Sequence, residues 1–390
     1  MSRLTTVRSR GIALLAIFAL AVVACGGGGS KSSTSGGGGG SVTMGFFGAL
    51  TGSDASLGIN EYDGIKLAVD QHNKKSGVKK ITLIPYDSTG SATQAPQLAQ
   101  KVISDKTVAI IGPAFSGESK AADPIFQQAG IVNVTCSATN PKLAQNGWTF
   151  WHRAVANDSN QGPAAAKYIV KKLGAKNVAV VDDNEEYSLG LADIVRQTLP
   201  TLGAKVAVSD HIDKAAQDYS ATVNKVKAAN PDAIFYGGYY SEGGRFLKQL
   251  RDGGVTSKWV SDDGAADPKL VTAAASAAEG AVVTNVSGDV TQNPKAGTFV
   301  SDYKALSGSD PGTYSAECYD TANMILQAVD KGKTTSKDIN DYLATASYTG
   351  ITSTIKFDSV GQVTTPVIYV YEVKGGTITY DGTIDQVVGS

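Results

Sequence analysis

The sequence predicts an α/β protein made of two similar lobes, each with an open, doubly wound parallel sheet and helices on both faces. Three observations indicate this class. Short apolar runs alternate with helical patterns from residue 42 onward, the alternation restarts after residue 157, and the C-terminal region changes to hairpin-type strands. Short apolar runs are typical of parallel strands buried on both faces, and strand–helix alternation implies a parallel sheet.

The first lobe begins with the strand-like run VTMGFFG and a helical pattern around Gly64–Asn73. The runs ITLIPYD, VAIIG and IVNVT follow as further strands. Helices are predicted between them at Ala92–Ser104 and Ser119–Ala129, where the apolar residues are spaced for one helix face.

The second lobe begins after the loop ANDSNQGP, where we predict a helix entered near Pro163, because proline suits the first helical turn. The runs NVAVVDD, KVAVSDHI, AIFYGG and KWVSDD follow as strands separated by helices. After AVVTNV, helices are predicted at Phe299–Leu306 and Cys318–Val329. The runs TSTIKFD and TTPVIYVYEVKGGTITYDG predict hairpin strands, with Gly375-Gly376 as a turn.

The composition is that of an ordinary globular protein. Of its residues 42% are hydrophobic and 18% are charged. A chain of 390 residues is long enough for two domains. The formal net charge is −1, so no strong field favours nucleic acid or an anionic membrane surface.

The N-terminus predicts an exported protein. Arg3, Arg8 and Arg10 precede the apolar run GIALLAIFALAVVA, which is too short to span a bilayer and reads as a secretory signal over residues 1–24. The run ends in VVAC, which resembles the bacterial lipobox and predicts a diacylglycerol on Cys25. The alternative is an ordinary signal followed by a chance or core cysteine.

Residues 25–41 then form a Gly/Ser-rich tether that cannot bury a core, and its last twelve residues have a reach of roughly 20 Å. No later segment approaches 18 consecutive apolar residues, so we expect attachment through the lipid alone. Besides Cys25, the chain has two cysteines, Cys136 and Cys318. An exported compartment permits a disulfide between them, and two separately buried thiols are the alternative.

Two successive strands of the first lobe end in hydroxyl-rich loops, FSGES and CSATNP. Ligands of open α/β sheets bind outside the carboxyl ends of the strands, where helix N-termini offer free N–H groups to anions. Ser116, Ser137 and Thr139 could therefore hold a carboxylate. Taken singly they could also be helix N-caps, a position that Ser and Thr favour.

Three side chains of the second lobe also follow strands: Tyr187, Tyr239 and Asp263. Asp263 could meet an ammonium group, and the tyrosines could pack against an apolar ligand body. The alternative is that all three are ordinary loop or rim residues.

No catalytic or cofactor motif stands out. The histidines His72, His152 and His211 lack metal-type or triad-type spacing, and His152 reads as a buried-edge residue. GFFGALTG has the wrong spacing for a dinucleotide fingerprint, and GESK lacks the elbow of a serine hydrolase. We therefore expect no enzyme, no cofactor and no metal site.

An ordered set of motifs closely resembles the Leu/Ile/Val-type solute-binding proteins of bacterial ABC importers: GALTG, SATNP, NDSNQGPAAAKYI, FYGGYY and AAEGAVVT, between Val42 and Tyr380. The resemblance implies a type I periplasmic-binding fold, in which two lobes are joined by a three-strand hinge and close around a ligand. It places residues 42–157 with 286–365 in the N-terminal lobe, and residues 158–285 with 366–390 in the C-terminal lobe.

The resemblance also implies site roles. Ser116, helped by Thr139, would bind the ligand carboxylate. The Ser137 carbonyl, the Thr139 hydroxyl and the Asp263 carboxylate would receive the α-ammonium group. Five further residues would line the ligand side chain or close over it: Ala114, Phe115, Tyr187, Tyr239 and Tyr314. Ala138 is also an expected ligand-binding residue.

The chain departs from this family at three points. Asp263 stands where relatives commonly have glutamate, and the preceding Asp262 could compete for its role. Leu57 replaces a tyrosine found near the cleft in some relatives. Some members have a disulfide that this chain lacks. The corresponding positions are Ser88 or a neighbouring residue, and Phe115, and neither is a cysteine.

The expected function is that of an extracytoplasmic receptor, anchored by lipid to the outer face of the cytoplasmic membrane, that delivers an amino acid to ABC permease subunits. A branched-chain amino acid is the expected ligand, and the family implies a monomer. Two alternatives stay open: a ligand-sensing receptor that signals through a partner, and import of a related small amide, urea or carboxylate.

Overall fold

A computed structural model describes residues 40–389 of the protein. The predicted signal peptide, the predicted lipidation site at Cys25 and nearly all of the tether lie outside the described residues. Within residues 40–389, no helix is both long enough and apolar enough to cross a membrane.

The strands are numbered in chain order. Their bounds are β1 Val42–Gly48, β2 Ile81–Asp87, β3 Ala109–Ile111, β4 Val132–Thr135, β5 Trp151–Arg153, β6 Asn177–Asp182, β7 Lys205–His211, β8 Ala233–Gly237, β9 Lys258–Ser261, β10 Val282–Asn285, β11 Ser347–Thr349, β12 Thr354–Lys356, β13 Tyr369–Lys374 and β14 Thr377–Thr383.

The α-helices are numbered in the same way. Their bounds are α1 Ala55–Lys74, α2 Ala95–Ser104, α3 Ser116–Ala129, α4 Asp158–Lys167, α5 Glu186–Thr201, α6 Ser220–Ala229, α7 Tyr240–Asp252, α8 Pro268–Ala274, α9 Phe299–Ser307, α10 Ser315–Asp330, α11 Ser336–Leu343 and α12 Ile384–Val388.

Two sheets form the framework, and their parallel strands follow the same order. The first sheet runs β2-β1-β3-β4-β5, and all its strands are parallel. The second runs β7-β6-β8-β9-β10 in parallel and continues through β13 and β14. We call each sheet, with the helices packed on it, the first and the second lobe. The predicted pair of similar lobes is confirmed.

The C-terminal hairpin makes the second sheet mixed. Strand β13 pairs antiparallel with both β10 and β14, and Gly375 and Gly376 form the turn at φ 58° and 77°. Positive φ favours glycine, so the predicted turn is confirmed. The short β11–β12 hairpin is separate from both sheets.

The chain passes between the lobes three times: after β5, after β10 and before β13. The three connecting segments lie side by side, since Ala154, Val155, Val286 and Val367 line one small cavity. This arrangement matches the expected three-strand hinge. The lobe boundaries at residues 157, 285 and 365 stay a prediction.

The predicted start of α4 was wrong. The helix begins at Asp158, and Pro163 is its sixth residue. Asn157 is the N-cap, because its side-chain oxygen accepts the Ser159 N–H at 2.9 Å. The asparagine side chain satisfies one of the N–H groups that the first helical turn leaves unpaired. This cap sets the start of the helix, although proline is also favoured in a first turn.

Three helices begin earlier than predicted. Helix α10 begins at Ser315 instead of Cys318. Helix α1 begins at Ala55 instead of near Gly64, and α3 begins at Ser116 instead of Ser119. Helix α1 packs against α10, and Gly64 permits this approach because a Cβ there would lie 2.1 Å from the Ser315 carbonyl oxygen. The early starts of α1 and α3 bring the N-termini of these helices to the carboxyl edge of the first sheet.

Cys136 and Cys318 form a disulfide, with their Cα atoms 5.3 Å apart. This resolves the open question of their pairing. The bond joins the loop after β4 to the first turns of α10, across 182 residues of sequence.

Candidate functional site

A small cavity lies where the carboxyl ends of strands from both sheets meet. All ten residues predicted for ligand binding line it, and Leu57, Glu61 and Gly264 complete the wall. The predicted ten are Ala114, Phe115, Ser116, Ser137, Ala138, Thr139, Tyr187, Tyr239, Asp263 and Tyr314. The structure therefore brings the whole predicted set together, and their ligand contacts stay a prediction.

The first lobe contributes hydroxyl groups from the loops after β3 and β4. Ser116 Oγ accepts the Asn140 N–H at 3.2 Å, and Ser137 Oγ donates to the Ala114 carbonyl at 2.8 Å. Thr139 is 1% exposed, and its Oγ1 makes no hydrogen bond within 3.5 Å among the described residues, although the Asp158 carboxyl group is near enough to interact with it. Buried hydroxyls are normally paired, so Thr139 is a candidate for contact with a bound molecule.

The helix-capping alternative does not explain these loops. Phe115 is the N-cap of α3, and Ser116 is its first helical residue. Asn140 caps the short 3-10 helix that follows the second loop. The hydroxyls of Ser116, Ser137 and Thr139 are therefore not used as N-caps.

The second lobe contributes a carboxylate held by two phenols. Tyr187 Oη donates to Asp263 Oδ1 at 2.7 Å, and Tyr314 Oη donates to Asp263 Oδ2. Burial raises the pKa of Asp263, while the Tyr314 and Tyr187 hydroxyls act in the opposite direction. Tyr314 precedes α10 with φ 70°, a left-handed conformation uncommon outside glycine. That conformation turns its side chain to the cavity wall.

Aromatic rings form the rest of the wall. The Tyr239 ring lies 5.4 Å from the rings of Phe115 and Tyr187, measured between centroids. Leu57 adds an aliphatic surface, because α1 begins early enough to place it at the cavity. Such a surface suits an apolar ligand body.

Asp262 does not share the position of Asp263. It is buried outside the cavity wall, and its Oδ2 accepts the Gly238 N–H at 3.0 Å. Of the two aspartates only Asp263 lines the cavity, and its contact with an ammonium group stays a prediction.

Asp158 is a further acidic group that sequence reasoning missed. It begins α4, its N–H donates to the Thr139 carbonyl at 3.0 Å, and its carboxylate oxygens have no partner among the described residues. Burial and the nearby Asp263 raise the pKa of Asp158 well above its usual value. The N-cap residue Asn157 could have identified Asp158 as the first residue of α4, but the helix was predicted to begin near Pro163.

Glu61 was also missed. It lies one helical turn after Leu57 on α1 and lines the cavity, and burial raises its pKa to about 8. One Glu61 carboxylate oxygen lies 3.8 Å from Cys136 Sγ. The disulfide leaves no thiolate there to bind a metal, so this grouping is not a metal site.

The three histidines take no part in the cavity wall. His152 lies on β5, at the edge of the first sheet, and its Nε2 hydrogen-bonds with Asn340 Oδ1 at 2.9 Å. Burial lowers the pKa of His152 to about 4. The predicted structural role for this histidine is confirmed.

The arrangement combines a cluster of hydroxyls at a helix N-terminus, a buried carboxylate and an aromatic wall. Hydroxyl and N–H donors suit an anionic group, and a carboxylate suits a cation. The cavity can therefore hold a small molecule that carries both charges and an apolar body.

Known proteins share this fold and much of this sequence. Residues 41–377 match the periplasmic binding protein family. The Leu/Ile/Val-binding protein of Citrobacter freundii is 32% identical over 327 residues, which cover 83% of this chain and 88% of that protein.

Two solved structures are similar as a whole. The leucine-binding protein of Thermotoga maritima has a TM-score of 0.82 and 29% identity, over 88% of this chain and 98% of that one. The second is the substrate-binding protein of the branched-chain amino acid transporter of Streptococcus pneumoniae, solved with isoleucine. It has a TM-score of 0.81 and 27% identity, over 88% of this chain and 100% of that one. This chain belongs to the periplasmic binding protein family, a family of binding proteins and not of enzymes.

Proposed function

We propose that this protein binds an amino acid, with a branched-chain amino acid as the leading candidate, and delivers it to an ABC importer. One observation carries the proposal: the buried hydroxyls of Ser116 and Thr139 and the buried Asp263 carboxylate line one cavity with an aromatic wall. The branched-chain amino acid-binding relatives support the same ligand class.

The zwitterion is assigned to the polar end of the cavity. Ser116 Oγ already accepts an N–H from Asn140, so its own hydroxyl proton is available for the ligand carboxylate. Thr139 Oγ1 and the Ser137 carbonyl are assigned to the same end. Asp263 is assigned to the ammonium group, because it is the aspartate that lines the cavity.

The ligand side chain is assigned to the apolar wall of Leu57, Ala114, Phe115 and Tyr239. Aliphatic groups gain about 25 cal/mol for each Å² of apolar surface removed from water. Leucine, isoleucine and valine therefore suit this wall better than serine or asparagine.

Isothermal titration calorimetry and thermal shift test the ligand class. Purified residues 40–390 are titrated with leucine, isoleucine and valine, then with benzoate, urea and small amides. A ligand that binds only the folded state raises the melting temperature. We expect saturable binding of at least one branched-chain amino acid. If the protein instead binds benzoate, urea or an amide and none of these amino acids, that compound is the cargo and the proposed amino acid is not.

We propose that the protein is a monomer anchored through Cys25 to the outer face of the cytoplasmic membrane, with permease subunits as partners. The predicted signal and tether over residues 1–41 support this location. Membrane fractionation tests the anchor: Cys25→Ser is expected to release the protein from the membrane fraction. Retention of the variant there would refute lipidation at Cys25.

A further inference from the structure

The cavity is closed to solvent by contacts between the two lobes. Its polar residues Ser116, Thr139 and Asp263 are each at most 2% exposed, and Tyr239 is 6% exposed. A ligand cannot reach these groups unless the lobes separate. Contacts that cross between the lobes must therefore break when a ligand enters or leaves.

One cluster of such contacts surrounds Asp54, in the loop between β1 and α1 of the first lobe. The Lys214 ammonium, from the loop after β7 of the second lobe, lies 2.5 Å from Asp54 Oδ2. Ser241 Oγ, from the start of α7, donates to Asp54 Oδ1 at 2.7 Å. The neighbouring Tyr240 hydroxyl donates to the Ser53 carbonyl at 2.8 Å.

This cluster is more buried than an ordinary surface ion pair. Asp54 is 4% exposed and Lys214 24%, whereas Lys120 and Glu186, another pair between the lobes, are 65% and 26% exposed. An exposed pair contributes little, but breaking a buried pair leaves an uncompensated charge. The Asp54–Lys214 pair is therefore the stronger of these two connections.

Lys214 also touches the cavity wall. Its ammonium nitrogen lies 4.2 Å from the centroid of the Tyr239 ring, which lines the cavity. This distance is that of a cation–π contact. Lys214 also faces the buried carboxyl groups of Asp183 and Glu242 on its own lobe, which favour its charged form. When the lobes separate, Asp54 loses its lysine partner, whereas Lys214 keeps these two acidic neighbours of its own lobe.

We propose that Asp54 and Lys214 form a closure latch: an ion pair between the lobes that holds the Tyr239 ring over the bound ligand and slows ligand release. The latch acts on the ligand through Tyr239 and through the closed state, so both residues are positioning residues. The ligand in this proposal is the amino acid of the proposed function, on which this inference rests.

Ligand dissociation rates test the latch in a double-mutant cycle. Asp54→Asn, Lys214→Met and the double variant are compared with the unmodified protein by stopped-flow, with leucine as the probe. Each single change is expected to raise the dissociation rate about tenfold and to change the association rate little. Because both changes break one contact, the double variant is expected to be no faster than the faster single variant.

The matched control is Lys225→Met, which breaks the Lys225–Asp210 ion pair inside the second lobe. It is expected to leave the dissociation rate unchanged. Unchanged rates in Asp54→Asn and Lys214→Met, or fully additive effects in the double variant, would overturn the latch. Urea unfolding of each ligand-free variant separates a folding defect from a latch defect.

A failure of the proposed function is distinguishable from a failure of the latch. If the unmodified protein binds none of the amino acids, the proposed function fails, and X-ray scattering of the ligand-free proteins decides on the latch. A larger radius of gyration for Lys214→Met than for Lys225→Met supports the latch. Equal radii overturn it.

Discussion

The Asp263 carboxylate accepts hydrogen bonds from the Tyr187 and Tyr314 hydroxyls inside a closed cavity. Neither phenol neutralises it, so its negative charge remains available for a cation. Asp262, the adjacent residue in sequence, instead supports the backbone at Gly238. Two consecutive aspartates therefore have different environments, because backbone geometry directs only one of them to the cavity.

Asp263→Asn is expected to weaken leucine binding by about 2–5 kcal/mol, the usual cost of losing one partner of a buried charge pair. Asp262→Asn is the matched control, and we expect a much smaller change in affinity from it. Calorimetry of both variants measures the difference. Equal losses in the two variants would remove Asp263 from its assigned role.

Glu61 predicts a pH dependence of stability. Burial raises its pKa from 4.5 to about 8. Between these values the folded state binds more protons than the unfolded state, so the free energy of unfolding falls as pH rises. Glu61→Gln cannot ionise, and its free energy of unfolding is expected to fall less steeply over this range.

Urea unfolding between about pH 5 and pH 9 measures this slope. Each unit of raised pKa corresponds to about 1.4 kcal/mol, so the effect is large enough to detect. The exposed Glu279→Gln is the control and is expected to keep the slope of the unmodified protein. A Glu61→Gln curve parallel to that of the unmodified protein would contradict the prediction.

At the scale of elements, the Cys136–Cys318 disulfide joins two segments that line the cavity. Cys136 directly precedes Ser137, and the Cys318 N–H donates to the Tyr314 carbonyl at 2.9 Å. The bond therefore connects the loop after β4 to the N-terminus of α10. Its long sequence separation means that it restricts the unfolded chain strongly.

The Cys136→Ser/Cys318→Ser double variant is expected to lose about 2–5 kcal/mol of unfolding free energy. Denaturant unfolding with and without dithiothreitol measures this loss. The reductant is expected to destabilise the unmodified protein and to leave the double variant unchanged. A reductant effect of equal size on both proteins would show that the bond is not responsible.

At the scale of the whole molecule, the strand-end loops of the two lobes face one buried cavity. Binding that closes the lobes is expected to protect the backbone amides of residues 112–117 and 136–140 from hydrogen exchange, because these loops become inaccessible only in the closed state. The β13–β14 hairpin, at the outer edge of the second sheet, is the internal control.

Exchange followed by mass spectrometry, with and without leucine, measures this protection. We expect slower exchange in both loops and unchanged exchange in the turn at Gly375 and Gly376. Equal protection of the hairpin would indicate general stabilisation instead of closure.

Much of this architecture could be read from periodicity and strand-end position. The apolar runs predicted the parallel strands. The residues after them predicted six residues of the cavity wall: Ser116, Ser137, Thr139, Tyr187, Tyr239 and Asp263. This succeeds because parallel strands place their carboxyl ends at one edge of a sheet, wherever they lie in the chain. The family resemblance supplied Ala114, Phe115, Tyr314 and the lobe connections.

The sequence by itself determined the α/β class, the strand-end loops and the residue types of the cavity. Only the tertiary structure decided that Asp263 and not Asp262 faces the cavity, that Cys136 bonds to Cys318, and that Lys214 reaches Asp54. Each of these depends on distances between residues far apart in sequence or on backbone direction at one position. Local periodicity carries no information about either, because it reports only which face of an element is buried.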